Sequence, residues 1–175
     1  RPGSFVGQSI ERYETKNLIE GNGSYVDDII LPRMTYAHFV RSPYAHARIL
    51  SVSTKSAESV PGVIKIVTGE EISKICSPWH SILTHLKGMK SAWQSALATD
   101  RVLWQGEPYL AIVAESRAQA EDAAQLVETD WEELPALVEK EHALDEEAPI
   151  LHPELGDNLC WERLIETPGI DELFS

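Results

Sequence analysis

Cys76, His80 and His85 stand in a Cys-x3-His-x4-His pattern, and these residue types bind zinc through thiolate sulfur and imidazole nitrogen. Structural zinc takes four ligands, usually from two paired knuckles, so Cys160 or His46 would have to complete the set from a distant part of the chain. The other reading, favoured by the missing second knuckle, is scattered residues of a surface loop. Paired acids at Asp27-Asp28, Glu70-Glu71 and Glu132-Glu133 invite general acid/base chemistry. Neighbours on a strand point to opposite faces, and neighbours on a helix diverge by about 100°, so adjacency in sequence argues against a shared site. The sequence contains no Gly-x-Ser-x-Gly nucleophile elbow, no Walker loop and no dinucleotide-binding Gly-x-Gly-x-x-Gly. Asn22-Gly23-Ser24 matches a glycosylation acceptor in form, with nothing else pointing to secretion. From residues alone, no catalytic, cofactor-binding or metal site is assigned in this chain.

The elements that would have to position any site are short and punctuated. Met34–Val40 and Ile49–Val52 read as strands around a loop through Arg41-Ser42-Pro43-Tyr44, after an irregular entry arm that includes Gly21-Asn22-Gly23. Ser53 or Thr54 can cap a short helix that Pro61 must end, because the residue before proline is pushed out of the α region. Val63–Val67 reads as a strand, and Thr68-x-x-Glu71 has the spacing of a capping box that opens another short helix. Residues 76–100 predict a long surface excursion. Tyr109–Ala114 is almost wholly apolar and predicts a strand covered on both faces. Ser116-x-x-Gln119 caps a helix whose Ala120, Ala123, Ala124 and Val127 recur at i, i+3, i+4 and i+7, a stripe small enough to lie close on a sheet. With a further strand at Ala136–Val138, the order predicts a mixed α/β fold containing a βαβ-like unit, with a right-handed crossover if its strands are parallel.

A chain of 175 residues has the length of one ordinary domain, or of one domain with an arm, and can bury roughly 70% of its unfolded surface. No apolar run approaches the ~20 residues of a membrane helix, and the two cysteines, Cys76 and Cys160, fit a reducing cytoplasm better than a disulfide framework. The start at Arg1-Pro2-Gly3-Ser4 has neither an initiator Met nor a signal core, which suggests a trimmed or excised product. The net charge of −13 is unevenly placed: residues 1–117 carry 13 Lys/Arg against 11 Asp/Glu, and the remaining 58 carry 2 against 17. Such a field repels phosphate backbones and anionic lipid, so neither nucleic acid nor membrane is an expected partner. The acidic half reads as a solvated face or as a docking surface for a basic partner. From His142 onward the chain is acidic and punctuated by Pro149, Pro153 and Pro168. We therefore divide it into a domain over 1–141 and an arm over 142–175 that packs on something else.

Several stretches taken in order resemble a known family. They are Val6-Gly7-Gln8 with Arg12, Gly21-Asn22-Gly23-Ser24-Tyr25-Val26-Asp27-Asp28-Ile29, and above all Phe39-Val40-Arg41-Ser42-Pro43-Tyr44-Ala45-His46-Ala47-Arg48-Ile49. Pro61-Gly62-Val63, Thr68-Gly69-Glu70-Glu71, Leu97-Ala98, Gly106-Glu107-Pro108, Val113-Ala114-Glu115-Ser116-Arg117, Ala120-Glu121-Asp122-Ala123-Ala124 and Glu132-Glu133-Leu134-Pro135-Ala136 follow. Over about residues 6–158 the chain resembles the N-terminal part of the large, molybdopterin-binding subunit of the xanthine dehydrogenase, aldehyde oxidase and carbon monoxide dehydrogenase family. The resemblance implies the α/β hammerhead fold and a parent oxidoreductase that hydroxylates a heterocycle, purine, aldehyde or CO-like substrate with oxygen from water. It further implies a molybdenum–molybdopterin cofactor held by downstream domains, and iron–sulfur and FAD partner subunits of the separate-subunit bacterial kind. The family's cofactor and catalytic residues match no position here, so the isolated chain is expected to be an inactive scaffold. The alternative is a stand-alone acidic interaction module of the same fold. Arg41, His46 and Arg48 put positive charge into the best-matching loop, which reads as a surface loop with an ordinary structural role or, alternatively, as an intersubunit or interdomain contact.

Overall fold

The structure, a computed structural model, describes residues 4–81, 83 and 85–174. The chain divides into two compact units, one running through Met34 and one starting at Thr35.

In the first unit a helix α1 (Thr15–Ile19) is followed by a 3-10 turn at Val26–Asp28, where an Asp28 carboxylate oxygen accepts the Tyr25 N–H at 2.9 Å. None of its described residues is buried. A segment of this size cannot enclose a core of its own.

The second unit contains two three-stranded sheets, every pairing antiparallel. One has the order β1 (Tyr36–Arg41), β5 (Pro108–Ala114), β3 (Val63–Thr68); the other has β4 (Arg101–Val102), β2 (Ala47–Ser53), β6 (Glu128–Glu133). The apolar run Tyr109–Ala114 is the central strand of the first sheet, with Leu110, Ile112 and Ala114 almost fully buried. Short helices α2 (Lys55–Glu58) and α3 (Gly69–Ser73) flank β3. In α3 the capping box forms as the sequence requires: Thr68 Oγ1 accepts the Glu71 N–H, and the Glu71 carboxylate accepts the Thr68 N–H, both at 3.2 Å. Helix α4 (Arg117–Ala124), capped by Ser116, buries Ala120 and Ala123 in a core shared with Ile112, Val102 and Ala47. An aromatic cluster ties the two sheets. Trp131 of β6 meets Tyr109 of β5 edge-on at 5.1 Å and Tyr44 at 5.8 Å, and the Tyr109 hydroxyl lies 2.9 Å from Thr129 Oγ1.

The βαβ-like unit expected around α4 does not form. Strands β5 and β6 flank the helix in sequence but belong to different sheets, and among the described residues no pair of strands is parallel. The strand after the helix lies at Glu128–Glu133 and not at Ala136–Val138. Its half-buried Thr129 and Trp131 alternate with exposed Glu128, Asp130 and Glu132, a period-2 pattern hidden by its acidity. Past it Leu134 and Pro135 bond to His46 rather than to a neighbouring strand.

Residues 76–100 are largely irregular, with one bridge between Trp79 and Gln94 among those described. Part of the acidic segment packs within the chain. Asn158 accepts from the Leu151 N–H and donates to the carbonyls of Ala143 and Pro149, at 3.0–3.1 Å. The Lys90 ammonium reaches Asp157 at 2.5 Å and the Leu155 carbonyl at 3.3 Å, while Trp161 donates to the Lys87 carbonyl. The Lys90 ammonium, helped by the Leu159 N–H, holds the Asp157 carboxyl below its ordinary range. Beyond Trp161 every described side chain is exposed, and a helix α5 (Ile170–Phe174) ends the chain.

Candidate functional site

The residues that could ligate zinc do not converge. Cys76, Cys160 and His85 are exposed, and His80 stands edge-on to Trp93 with ring centroids 4.1 Å apart. His46 is buried elsewhere, its Nδ1–H donating to the Pro135 carbonyl at 2.7 Å. Among the described residues no three His, Cys, Asp or Glu side chains form a set that could hold a metal ion. The paired acids have separate local roles. Asp28 closes a turn, Glu71 completes the capping box and meets Lys65 at 3.2 Å, and Glu132 pairs with Arg48. The Thr68 N–H, and after it Lys65, hold the Glu71 carboxyl below its ordinary range.

The strongest sequence stretch, Arg41 to Arg48, builds a latch. Backbone bonds run from Ser42 N–H to the Glu107 carbonyl and from Gly106 N–H to the Ser42 carbonyl, both at 2.9 Å. The Ser42 hydroxyl closes its own turn by accepting from the Tyr44 N–H and donating to the Tyr44 carbonyl. Arg41 donates to the Gly106 carbonyl and lies over the Phe39 ring. Arg41-Ser42-Pro43 and Gly106-Glu107-Pro108 are thus two halves of one joint. The expectation of a positive contact loop is corrected at one position, since His46 is inside; Arg48 stays exposed and pairs with Glu132.

Glu107 was not singled out from the sequence, although a Gly-Glu-Pro turn opening an apolar strand marks a constrained position. It is 9% exposed, and its carboxylate accepts the N–H groups of Leu103, at 2.6 Å, and Trp104. Burial pushes the carboxyl above its ordinary value, opposed by those two N–H groups and by Arg101. A carboxyl raised on folding contributes stability that is fully present below its unfolded value and is lost as pH rises through the folded one. Glu107→Gln removes this titration. The unfolding free energy of the wild type relative to Glu107→Gln is therefore expected to fall as pH rises above about 4.5. Urea titrations at a series of pH values check this; a difference constant with pH would contradict it.

Glu107 also helps line a cleft of about 180 Å³ between the Trp93–Trp104 segment and the 3-10 turn at Pro153–Leu155. Trp93 and Trp104 are half-exposed there, and the polar lining includes Asp100, Arg101, His152 and Glu154. The Glu154 carboxylate lies 3.4 Å from His152 Nδ1.

Residues 20–135 match the family described as aldehyde oxidase and xanthine dehydrogenase, a/b hammerhead domain. The carbon monoxide dehydrogenase large chain of Afipia carboxidovorans is 36% identical over 154 residues, covering 88% of this chain and 18% of that protein. The xanthine dehydrogenase molybdenum-binding subunit of Escherichia coli O157:H7 is 35% identical over 156 residues, covering 88% of this chain and 20% of that protein. Among solved structures, quinoline 2-oxidoreductase from Pseudomonas putida 86 superposes with a TM-score of 0.75 at 37% identity, over 81% of this chain and 18% of that one. The chain spans about a fifth of the length of the curated relatives it matches. The relatives' molybdenum finds no fitting donor set among the described residues here, since the one buried imidazole and the one buried carboxylate are each bound to backbone. The match over residues 20–135, with 36% and 35% identity to two large subunits over 88% of the chain, places this chain in the α/β hammerhead family of aldehyde oxidases and xanthine dehydrogenases.

Proposed function

We propose that this chain is the non-catalytic hammerhead portion of a molybdenum hydroxylase large subunit, a scaffold against which the cofactor-holding domains pack. Residues 1–141 are its hammerhead domain and 142–175 the arm that leads toward those domains. The whole enzyme, in the cytoplasm, would hydroxylate a heterocycle, purine, aldehyde or CO-like substrate with oxygen from water. Its molybdenum–molybdopterin group would be held outside this chain, and electrons would leave through iron–sulfur and FAD subunits.

The observation that carries this reading is the apolar surface left in water away from any reactive group. Val6 is 91%, Tyr13 99% and Val26 84% exposed in the first unit, and Ile165 and Leu173 are 80% and 81% exposed near the end of the chain. A first unit that buries none of its described residues and leaves apolar side chains of this size in water supports a covering body there. In the assembled enzyme, Val26→Asp with Ile30→Asp is expected to lower the yield of molybdenum-loaded complex severalfold. The melting temperature of the 175-residue chain should stay within about 2 °C of wild type, because both side chains are exposed. An unchanged yield of loaded complex, or turnover of a heterocycle or aldehyde by this chain alone, would overturn the reading.

A further inference from the structure

The cleft beside Glu107 is not used by the scaffolding role, and its lining points to a ligand of definite chemistry. The carboxylates of Asp100 and Glu154 line it with the guanidinium of Arg101 and with His152, which meets Glu154 at 3.4 Å, while the buried Glu107 carboxyl beside them is held by the N–H groups of its own turn. The lining therefore carries an excess of negative charge at neutral pH. The indoles of Trp93 and Trp104 border the same space and are 59% and 48% exposed. Neither tryptophan is buried to complete a core: both line the cleft and keep solvent-accessible surface, and Trp93 is held by its edge-on contact with His80. Indole faces carry the negative side of the aromatic quadrupole and attract cations, most strongly those that shed water easily. Ring faces and excess carboxylate thus select the same kind of ligand. A hydrated inorganic cation gains little from a ring face, and an anion is repelled by the carboxylates.

We propose that this cleft binds a small organic cation, a quaternary or alkyl-substituted ammonium group, between Trp93 and Trp104 with Asp100 and Glu154 as counter-charges. The site is independent of the scaffolding reading and stands or fails without it. The volume of about 180 Å³ admits an ammonium head with a few carbons and excludes a polypeptide segment.

Titration of the 175-residue chain with tetramethylammonium, at constant ionic strength, tests the proposal through the indole N–H signals of its five tryptophans in NMR spectra. Single Trp93→Phe and Trp104→Phe spectra assign the two relevant peaks. The expected result is a saturable shift confined to those two signals, with half-saturation in the millimolar range. Neopentyl alcohol, a neutral molecule of the same shape, should bind at least threefold more weakly. Trp104→Leu should weaken tetramethylammonium binding about two- to fivefold, the effect of losing one partly exposed cation–ring contact. Asp100→Asn, which keeps side-chain shape, should weaken it in the same direction and provides a variant whose folding is not in question. Equal binding of the neutral isostere, a non-saturable shift spread over all five indoles, or unchanged affinity in Asp100→Asn would overturn the proposal.

Discussion

Gly69→Ala is expected to destabilise the protein by about 3 kcal/mol, the upper range for forcing an atom into a filled space. Gly69 is the first residue of α3 and is buried. A β-carbon there would sit 2.2 Å from the Ala98 carbonyl oxygen and 2.8 Å from its carbon. Both are main-chain atoms, so no side chain can swing aside; the segment around Ala98 or the start of α3 has to move. That segment is tied down, since the Ala98 N–H donates to the Pro108 carbonyl at 2.9 Å and Ala98 belongs to the core. Strain would therefore spread from the helix into the central strand. Gly106→Ala is the control. At φ +89° it pays only for a left-handed backbone, since nothing lies within 4 Å of the added carbon, and about 1 kcal/mol is expected. Urea denaturation of the two variants should separate them by about 2 kcal/mol. Equal effects would show that the close approach to Ala98 is not a constraint.

Ile112→Ala is expected to lower stability by about 3 to 4 kcal/mol, with Ile112→Val costing about 1. Ile112 has no exposed surface and lies at the middle of the strand that is paired on both sides, opposite His38 of β1 and Ile66 of β3. Removing its side chain takes away buried methyl groups and opens a space that a strand held from both edges cannot close. For a chain of this length the alanine variant should melt roughly 10 °C lower. A drop of less than about 3 °C would mean that the helix and the outer strands relax into the gap.

What the sequence made legible is what local rules decide. The capping pair Thr68 and Glu71, the alanines of α4 and the burial of Tyr109–Ala114 each follow from residues within a few positions of one another and are found where expected, except that the helix ends at Ala124 and leaves Val127 past its end. The family, too, was readable, because ordered motifs need no knowledge of geometry. Partnerships across the chain were hidden. Strand β4 is two residues long and has no pattern to detect, and β6 joins β2, some eighty positions earlier, through a segment that reads as acidic surface. His46 stands in a stretch with basic neighbours and looks like part of a charged loop until Pro135 arrives to accept its N–H. Glu107 had no evident partner in sequence, because its partners are main-chain N–H groups of its own turn. The site is thus less legible than the fold for one physical reason: its members are defined by burial and by backbone contacts, which residue type does not announce.

The ladder order also has a consequence for how the molecule is made. The first three strands, finished at Thr68, do not pair with one another; β1 and β3 both wait for β5, which begins at Pro108, and β2 waits for β4 and β6. At the usual pace of translation, the intervening 39 residues take roughly two to eight seconds to emerge. During that interval the growing chain carries open strand edges with apolar residues such as Phe39, Ile64 and Ile66, the type of surface that chaperones at the ribosome exit recognise. Neither sheet can close before the Gly106 turn has left the tunnel: a polypeptide released just short of that turn carries β1 to β4 with only the two-residue pairing of β2 and β4 to form.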